Sequence, residues 1–129
     1  MILVAHEDKA VARTVSGVLK FGEGWTSVTT DDVDQVLSLV RTKKPDLLLI
    51  SDGFGYFFPI LHTTTFEVVQ QIRRDPSVAR VPVVMLCYEG KAASKASNLG
   101  CTPLIVPVDP DELLATIRQL MPASVPPIA

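Results

Sequence analysis

With 129 residues, 47% of them hydrophobic and 20% charged, the chain has the length and composition of one compact domain rather than a disordered segment. Its formal net charge of -2 gives no basic excess for a nucleic-acid partner. No apolar run approaches the ~20 residues of a membrane helix, and Cys87 and Cys101 lack CxxC spacing, so a reduced, cytoplasmic protein is expected.

The opening MILVAHED is too short and too acidic for a signal peptide, and Ile2–Ala5 fits a first strand instead. Asp8 is placed to cap the next helix, whose apolar face is Val11, Val15, Val18 and Leu19. Gly22–Gly24 ends that helix, and Trp25–Thr30 alternates as a weaker second strand. Asp31 or Asp32 starts a second helix with Val33, Val36, Leu37 and Val40 inward, stopped at Lys43–Pro45. Leu47–Ser51 is continuously apolar up to its serine, as a central strand covered on both faces should be. A long loop leads to a third helix over Thr65–Arg74, closed by Asp75–Pro76.

Val81–Cys87 is the fourth strand, and Lys91–Leu99 a small-residue helix ended by Gly100. Pro103–Val106 is a short fifth strand, and Asp109–Leu120 a capped amphipathic helix with Pro110 in its first turn. The prolines of 122–129 do not continue a helix, so the expected domain is 1–121, followed by a terminal extension or the start of a linker. Strict alternation of five strands and five helices predicts a doubly wound α/β sandwich on a five-stranded parallel sheet. Ligands of such sheets bind at the carboxyl ends of the strands. That rule marks His6, Glu7, Asp8, Ser51, Asp52, Cys87, Tyr88, Val106 and Pro107.

KPDLLLI, FEVVQQIRRDPSVARVPVVML and PVDPDELLATIRQL are close to the phrasing of the bacterial response-regulator receiver domains. The chain resembles that CheY-like family nearly to Leu120, which implies the flavodoxin-like strand order 2-1-3-4-5. The resemblance also implies phosphoryl transfer to an aspartate at the end of the third strand. Two acids after the first strand would hold Mg²⁺, with a hydroxyl ending the fourth strand and a lysine preceding a proline after the fifth. The cation offsets the charge on two anionic partners, and the lysine adds a point charge to the phosphoryl oxygens.

This sequence departs from that set. His6 and Glu7 stand where two acids are usual, with Asp8 a third acid expected to cap a helix rather than bind metal. Glu7, Asp8 and Asp52 are the candidate ligands if Mg²⁺ binds at all; no cofactor is expected otherwise. Cys87 takes the hydroxyl position and Val106 the lysine position, while Lys91 and Lys95 would have to reach in from the fourth helix to replace that charge. Leu104 or Ile105 replaces the usual aromatic of the fifth strand. Counted without a gap from Pro45, Ser51 occupies the acceptor position and Asp52 lies one step beyond; only a bulge or a loose strand end would restore Asp52.

The loop Gly53–Thr65 is about five residues longer than the family's and holds Phe54, Tyr56, Phe57 and Phe58. It would cover the crevice, form a partner patch, or pack as a satellite core. His62 is expected on the loop surface, and Trp25 partly buried.

Three functions follow as expectations. The first is a degenerate receiver, a signalling module rather than an enzyme, acting by contacts with other signalling proteins and lacking standard aspartyl phosphorylation. The second is a divergent phosphoacceptor taking a phosphoryl group from a histidine kinase on Asp52. The third is a flavodoxin-like domain for a small ligand. An output domain is a further expected partner, whereas nucleic acid and membrane are not expected for this domain. Without its hydroxyl and aromatic switch partners, the face of the fourth helix, fifth strand and fifth helix is expected to rearrange weakly or not at all.

Overall fold

The computed structural model describes residues 1–55 and 63–121. The expectations placed on Tyr56, Phe57, Phe58, His62 and the tail 122–129 fall outside the described residues. Ten elements alternate: β1 (Ile2–Ala5), α1 (Lys9–Glu23), β2 (Ser27–Thr30), α2 (Val33–Lys43), β3 (Leu47–Ser51), α3 (Thr65–Arg74), β4 (Val83–Cys87), α4 (Gly90–Asn98), β5 (Thr102–Ile105) and α5 (Pro110–Leu120). All strand pairs are parallel, in the order β2-β1-β3-β4-β5. None of the described helices is long and apolar enough to cross a membrane.

Local chemistry sets the element ends. Asp8 accepts from Ala10 and Val11 N–H, and Asp32, rather than Asp31, caps α2 by accepting from Asp34 N–H. Thr64 accepts from Glu67 N–H in a T-x-x-E start to α3. The second strand starts two residues later than its alternation suggests. Gly24 is left-handed and Trp25 N–H turns back to the Leu19 carbonyl, so Trp25 serves the end of α1 and packs half-buried against the core. The fourth strand starts at Val83 because Val81 N–H is spent on the Val78 carbonyl in the preceding turn.

Side-chain parity divides the core. Leu48 and Ile50 of β3 join Val36, Val40, Val69, Ile72 and Ala96 on the α2/α3/α4 side. Leu47 and Leu49 join Ala12, Leu19, Leu113 and Ile117 on the α1/α5 side. β4 divides likewise, with Val83, Met85 and Cys87 on the first side and Val84 and Leu86 on the second. β5 is an edge strand, where Pro103 is tolerated.

Asp75 joins two helices below the sheet. Its Oδ1 accepts from Ser77 N–H and Oγ at 2.9 and 2.7 Å, and its Oδ2 accepts from Arg41 Nε at 2.6 Å. The bond from Ser77 Oγ and then that from Arg41 hold its carboxyl down at about 2, from an ordinary 3.8. A depressed folded pKa contributes stability that is present above 3.8 and lost as pH falls towards 2. Asp75→Asn is therefore expected to flatten the acid limb of stability in that window, with no added slope near neutrality; urea unfolding across pH checks this.

Candidate functional site

The carboxyl ends of β1, β3 and β4 bring several marked residues together. The β3 register is unbroken against both neighbours: Ala5 pairs with Ile50, Ser51 pairs with Leu86, and Asp52 N–H continues the ladder to the Leu86 carbonyl at 2.9 Å. No bulge therefore advances Asp52 into the place of Ser51. Parity then sends the two side chains to opposite sides of the sheet.

Ser51 is buried, and its Oγ donates to Glu7 Oε1 at 3.2 Å while accepting from Gly53 N–H at 3.1 Å. Tyr88 Oη donates to the same Glu7 oxygen at 3.3 Å. The Glu7 carboxylate packs against Gly53: an added Cβ there would stand 2.2 Å from Oε1, so a larger residue would require the Glu7 side chain to shift. Burial, then the Glu7 charge, push the Tyr88 phenol up, keeping it a donor.

Asp52 is only 4% exposed. Its Oδ2 accepts from Tyr88 N–H at 3.1 Å, whereas Oδ1 is buried without a hydrogen-bond partner among the described residues. Burial pushes its carboxyl up, the Tyr88 N–H opposes this, and the charges of Glu7 and Glu89 push it further up. Cys87 shares this side of the sheet, and burial, with the nearby Asp52 charge, holds its thiol up at about 11. It is a weak donor spent on the Met85 carbonyl at 3.5 Å.

Other marked residues are committed elsewhere. His6 is buried and its Nδ1 accepts from Asp8 N–H at 2.9 Å, so its 3.7 Å approach to Glu7 Oε2 brings no proton to that carboxylate. Asp8 is engaged as the α1 cap. Val106 and Leu104 belong to the α1/α5 cluster, across the sheet from Cys87, while Ile105 is half-exposed. Val106 precedes a cis peptide bond to Pro107.

Mg²⁺ is the ion such a site would take in the receiver family. A small hard cation demands several well-placed oxygens, usually including more than one carboxylate. Here Glu7 is the one acid on the Ser51 hydroxyl, Asp8 is spent on helix N–H groups, and Asp52 follows the opposite parity. No cluster of three or more His, Cys, Asp or Glu residues among those described is placed to hold a metal. The donor set does not fit Mg²⁺.

Tyr88, marked from its place after the fourth strand, holds both acids, one through its backbone and one through its ring hydroxyl. Sequence reasoning missed Thr65. Thr65 is fully buried, and its Oγ1 donates to the Ser51 carbonyl at 2.7 Å, fastening the far end of the long loop to β3. Lys91 and Lys95 do line a cavity with Asp52, which their place on α4 alone did not suggest.

No family model matches the chain. Among curated proteins it is 31% identical over 120 residues to the DNA-binding response regulator MtrA of Mycobacterium tuberculosis, covering 91% of this chain and 48% of that protein. It is 23% identical over 123 residues to the phosphate regulon transcriptional regulatory protein PhoB of Pseudomonas aeruginosa, covering 93% and 51%. The chain thus spans about half the length of the curated relatives it matches. Among solved structures, the chemotaxis response regulator CheY4 of Vibrio cholerae superposes with a TM-score of 0.78 at 21% identity, covering 93% of this chain and 97% of that one. A CheY-like receiver domain protein of Methanospirillum hungatei gives 0.74 at 18% identity, covering 92% and 90%. The fold is of the flavodoxin-like, doubly wound class. Together with the regulator matches, it identifies the chain as a receiver domain of the response-regulator, CheY-like family.

Proposed function

We propose that this receiver domain is degenerate, working as a signalling module through protein contacts without standard aspartyl phosphorylation. The observation that carries the reading is the unbroken register of β3, which leaves Ser51 at the acceptor position with its hydroxyl spent on Glu7. A serine hydroxyl hydrogen-bonded to a carboxylate is no substitute for an aspartate held by a cation. Support also comes from Val106, which offers no charge to a phosphoryl oxygen, and from Cys87, a weak donor buried in the α2/α3/α4 cluster. The natural partners are other signalling proteins in the cytoplasm, a histidine kinase or an output domain among them. No enzymatic turnover is assigned.

Incubation with acetyl phosphate and Mg²⁺ is expected to leave the intact mass unchanged. The amide spectrum across Leu104–Leu120 is expected to stay in place on adding beryllofluoride with Mg²⁺. Stoichiometric phosphoryl on Asp52, or wholesale shifts across that face, would overturn the proposal in favour of a divergent phosphoacceptor.

A further inference from the structure

A groove of about 290 Å³ lies at the amino-terminal ends of β3 and β4, the opposite end of the sheet from Ser51. It runs between the end of α2, at Val40 and Lys44, and the turn Pro76–Val81 that leads into β4. Val40, Pro45 and Val78 in its wall are buried, and Val81 is half-buried. Lys44 and Arg80 line it and are exposed, and no carboxylate among the described residues lines it.

The chain as a whole has a net charge of -2, yet this end of it is basic. Arg41, Lys43, Lys44, Arg73, Arg74 and Arg80 are six of the chain's 12 Lys and Arg residues. The acids of the same stretches are already paired, Asp46 with the Met1 ammonium and Asp75 with Arg41. Arg73 is held by backbone carbonyls. Lys43, Lys44, Arg74 and Arg80 make no ion pair among the described residues, so the surplus positive charge there is uncompensated. Basic residues in a last turn complement the helix dipole, which accounts for Lys43 and Arg74. It does not account for Arg80, which lies in a turn outside any helix. Lys44 caps α2 in a left-handed backbone (φ 46°) that glycine adopts more freely.

We propose that this groove docks an acidic segment of a partner protein, one apolar side chain lying over Val78 and Val81 and its carboxylates meeting Lys44 and Arg80. Apolar floor and cationic rim together match a peptide that carries both characters, whereas a simple inorganic anion would leave the floor uncovered. No aromatic residue among those described lines the groove to stack a base, so a nucleic acid fits it less well. The inference rests on the reading of this domain as a protein-contact module. It uses the end of the sheet away from Ser51 and Asp52, so the phosphodonor experiment and the docking experiment can fail separately.

The test is an amide titration of the full chain with a capped synthetic peptide, EDLEDLED. It is expected to saturate with a Kd of about 1 mM or tighter at about 50 mM salt, moving the signals of Val40, Lys44 and Ser77–Val81. Raising the salt to about 0.5 M is expected to weaken binding at least about fivefold. The leucine-free peptide EDSEDSED is expected to bind at least about tenfold more weakly, as is the parent peptide to Lys44→Glu with Arg80→Glu. Lys44→Gly with Arg80→Gln keeps the left-handed turn and supplies a second weakened variant should the charge reversal fail to fold. The proposal is overturned if EDLEDLED gives no saturable shifts at the groove, if EDSEDSED or a short oligothymidylate binds as tightly, or if the folded variants bind as the parent does. It also falls if the same signals move on diluting the protein alone, since the occupant is then a second copy of the chain.

Discussion

Arg73→Ala is expected to lower the unfolding free energy by about 3 kcal/mol and the Tm by about 10 °C. One guanidinium serves four backbone carbonyls. Nε donates to Leu99 at 2.9 Å, Nη1 to Ala79 and Val81 at 2.9 and 2.7 Å, and Nη2 to Gly100 at 3.1 Å. These carbonyls come from the α3–β4 turn and from the end of α4, so one side chain ties α3 to both. Alanine leaves all four acceptors without their charged donor in a half-buried setting, where an unmet polar group costs more than a made bond contributes. Lysine is a poor substitute, because its compact ammonium lacks the planar fork that spans separate acceptors. Thermal and urea unfolding of Arg73→Ala and Arg73→Lys measure both effects. A Tm within about 2 °C of the parent for Arg73→Ala would show that the carbonyls find water instead.

The second large effect is expected at Asp52 and has the opposite sign. Burial raises its folded pKa above the ordinary 3.8, so protonation favours the folded state. The stability this contributes is fully present below 3.8 and is lost as pH rises through the elevated folded value. The ionised form of Asp52 is the costly one in the folded protein, because one carboxyl oxygen is buried without a partner among the described residues. Asp52→Asn keeps the acceptor for Tyr88 N–H and removes the charge, so it is expected to stabilise the protein by about 1 kcal/mol at pH 7. It should also abolish the decline between 3.8 and the elevated value. Urea unfolding of parent and variant across pH reads the slope directly, and parallel profiles would show that the carboxylate is solvated in the folded state. Asp75 and Asp52 thus pull the pH profile in opposite directions, one losing stability on acidification and the other on its reversal.

Several features were open to reading from residues alone. LLLIS is apolar enough to be a central strand, and its parity already separates Leu48 and Ile50 from Leu47 and Leu49. Asp8, Thr64 and Asp109 are short acceptors ahead of apolar helical periods, and each caps the helix it precedes. The loss of the family's lysine and hydroxyl at Val106 and Cys87 is plain in the letters themselves. Trp25 was harder, because its aromatic ring suits a strand while its backbone N–H belongs to the helix before it. The face of Leu104 was equally hidden, since a four-residue edge strand carries no pattern strong enough to fix its parity.

What the chain's order of residues determined by itself was local and periodic: where strands and helices lie, which residues cap them, and that Ser51 precedes Asp52 at the end of β3. Those properties depend on neighbours a few positions away. Tertiary structure alone decided which groups meet. Glu7 and Tyr88 stand 81 positions apart yet share a hydrogen bond, and Thr65 reaches 14 positions back to the Ser51 carbonyl. It also decided that β3 pairs without a bulge, because ladder bonds to β1 and β4 set the register from both sides at once. With the register set, the period of two places Ser51 against Glu7 and turns Asp52 to the α3/α4 side. No local preference of either residue could have chosen between those two sides.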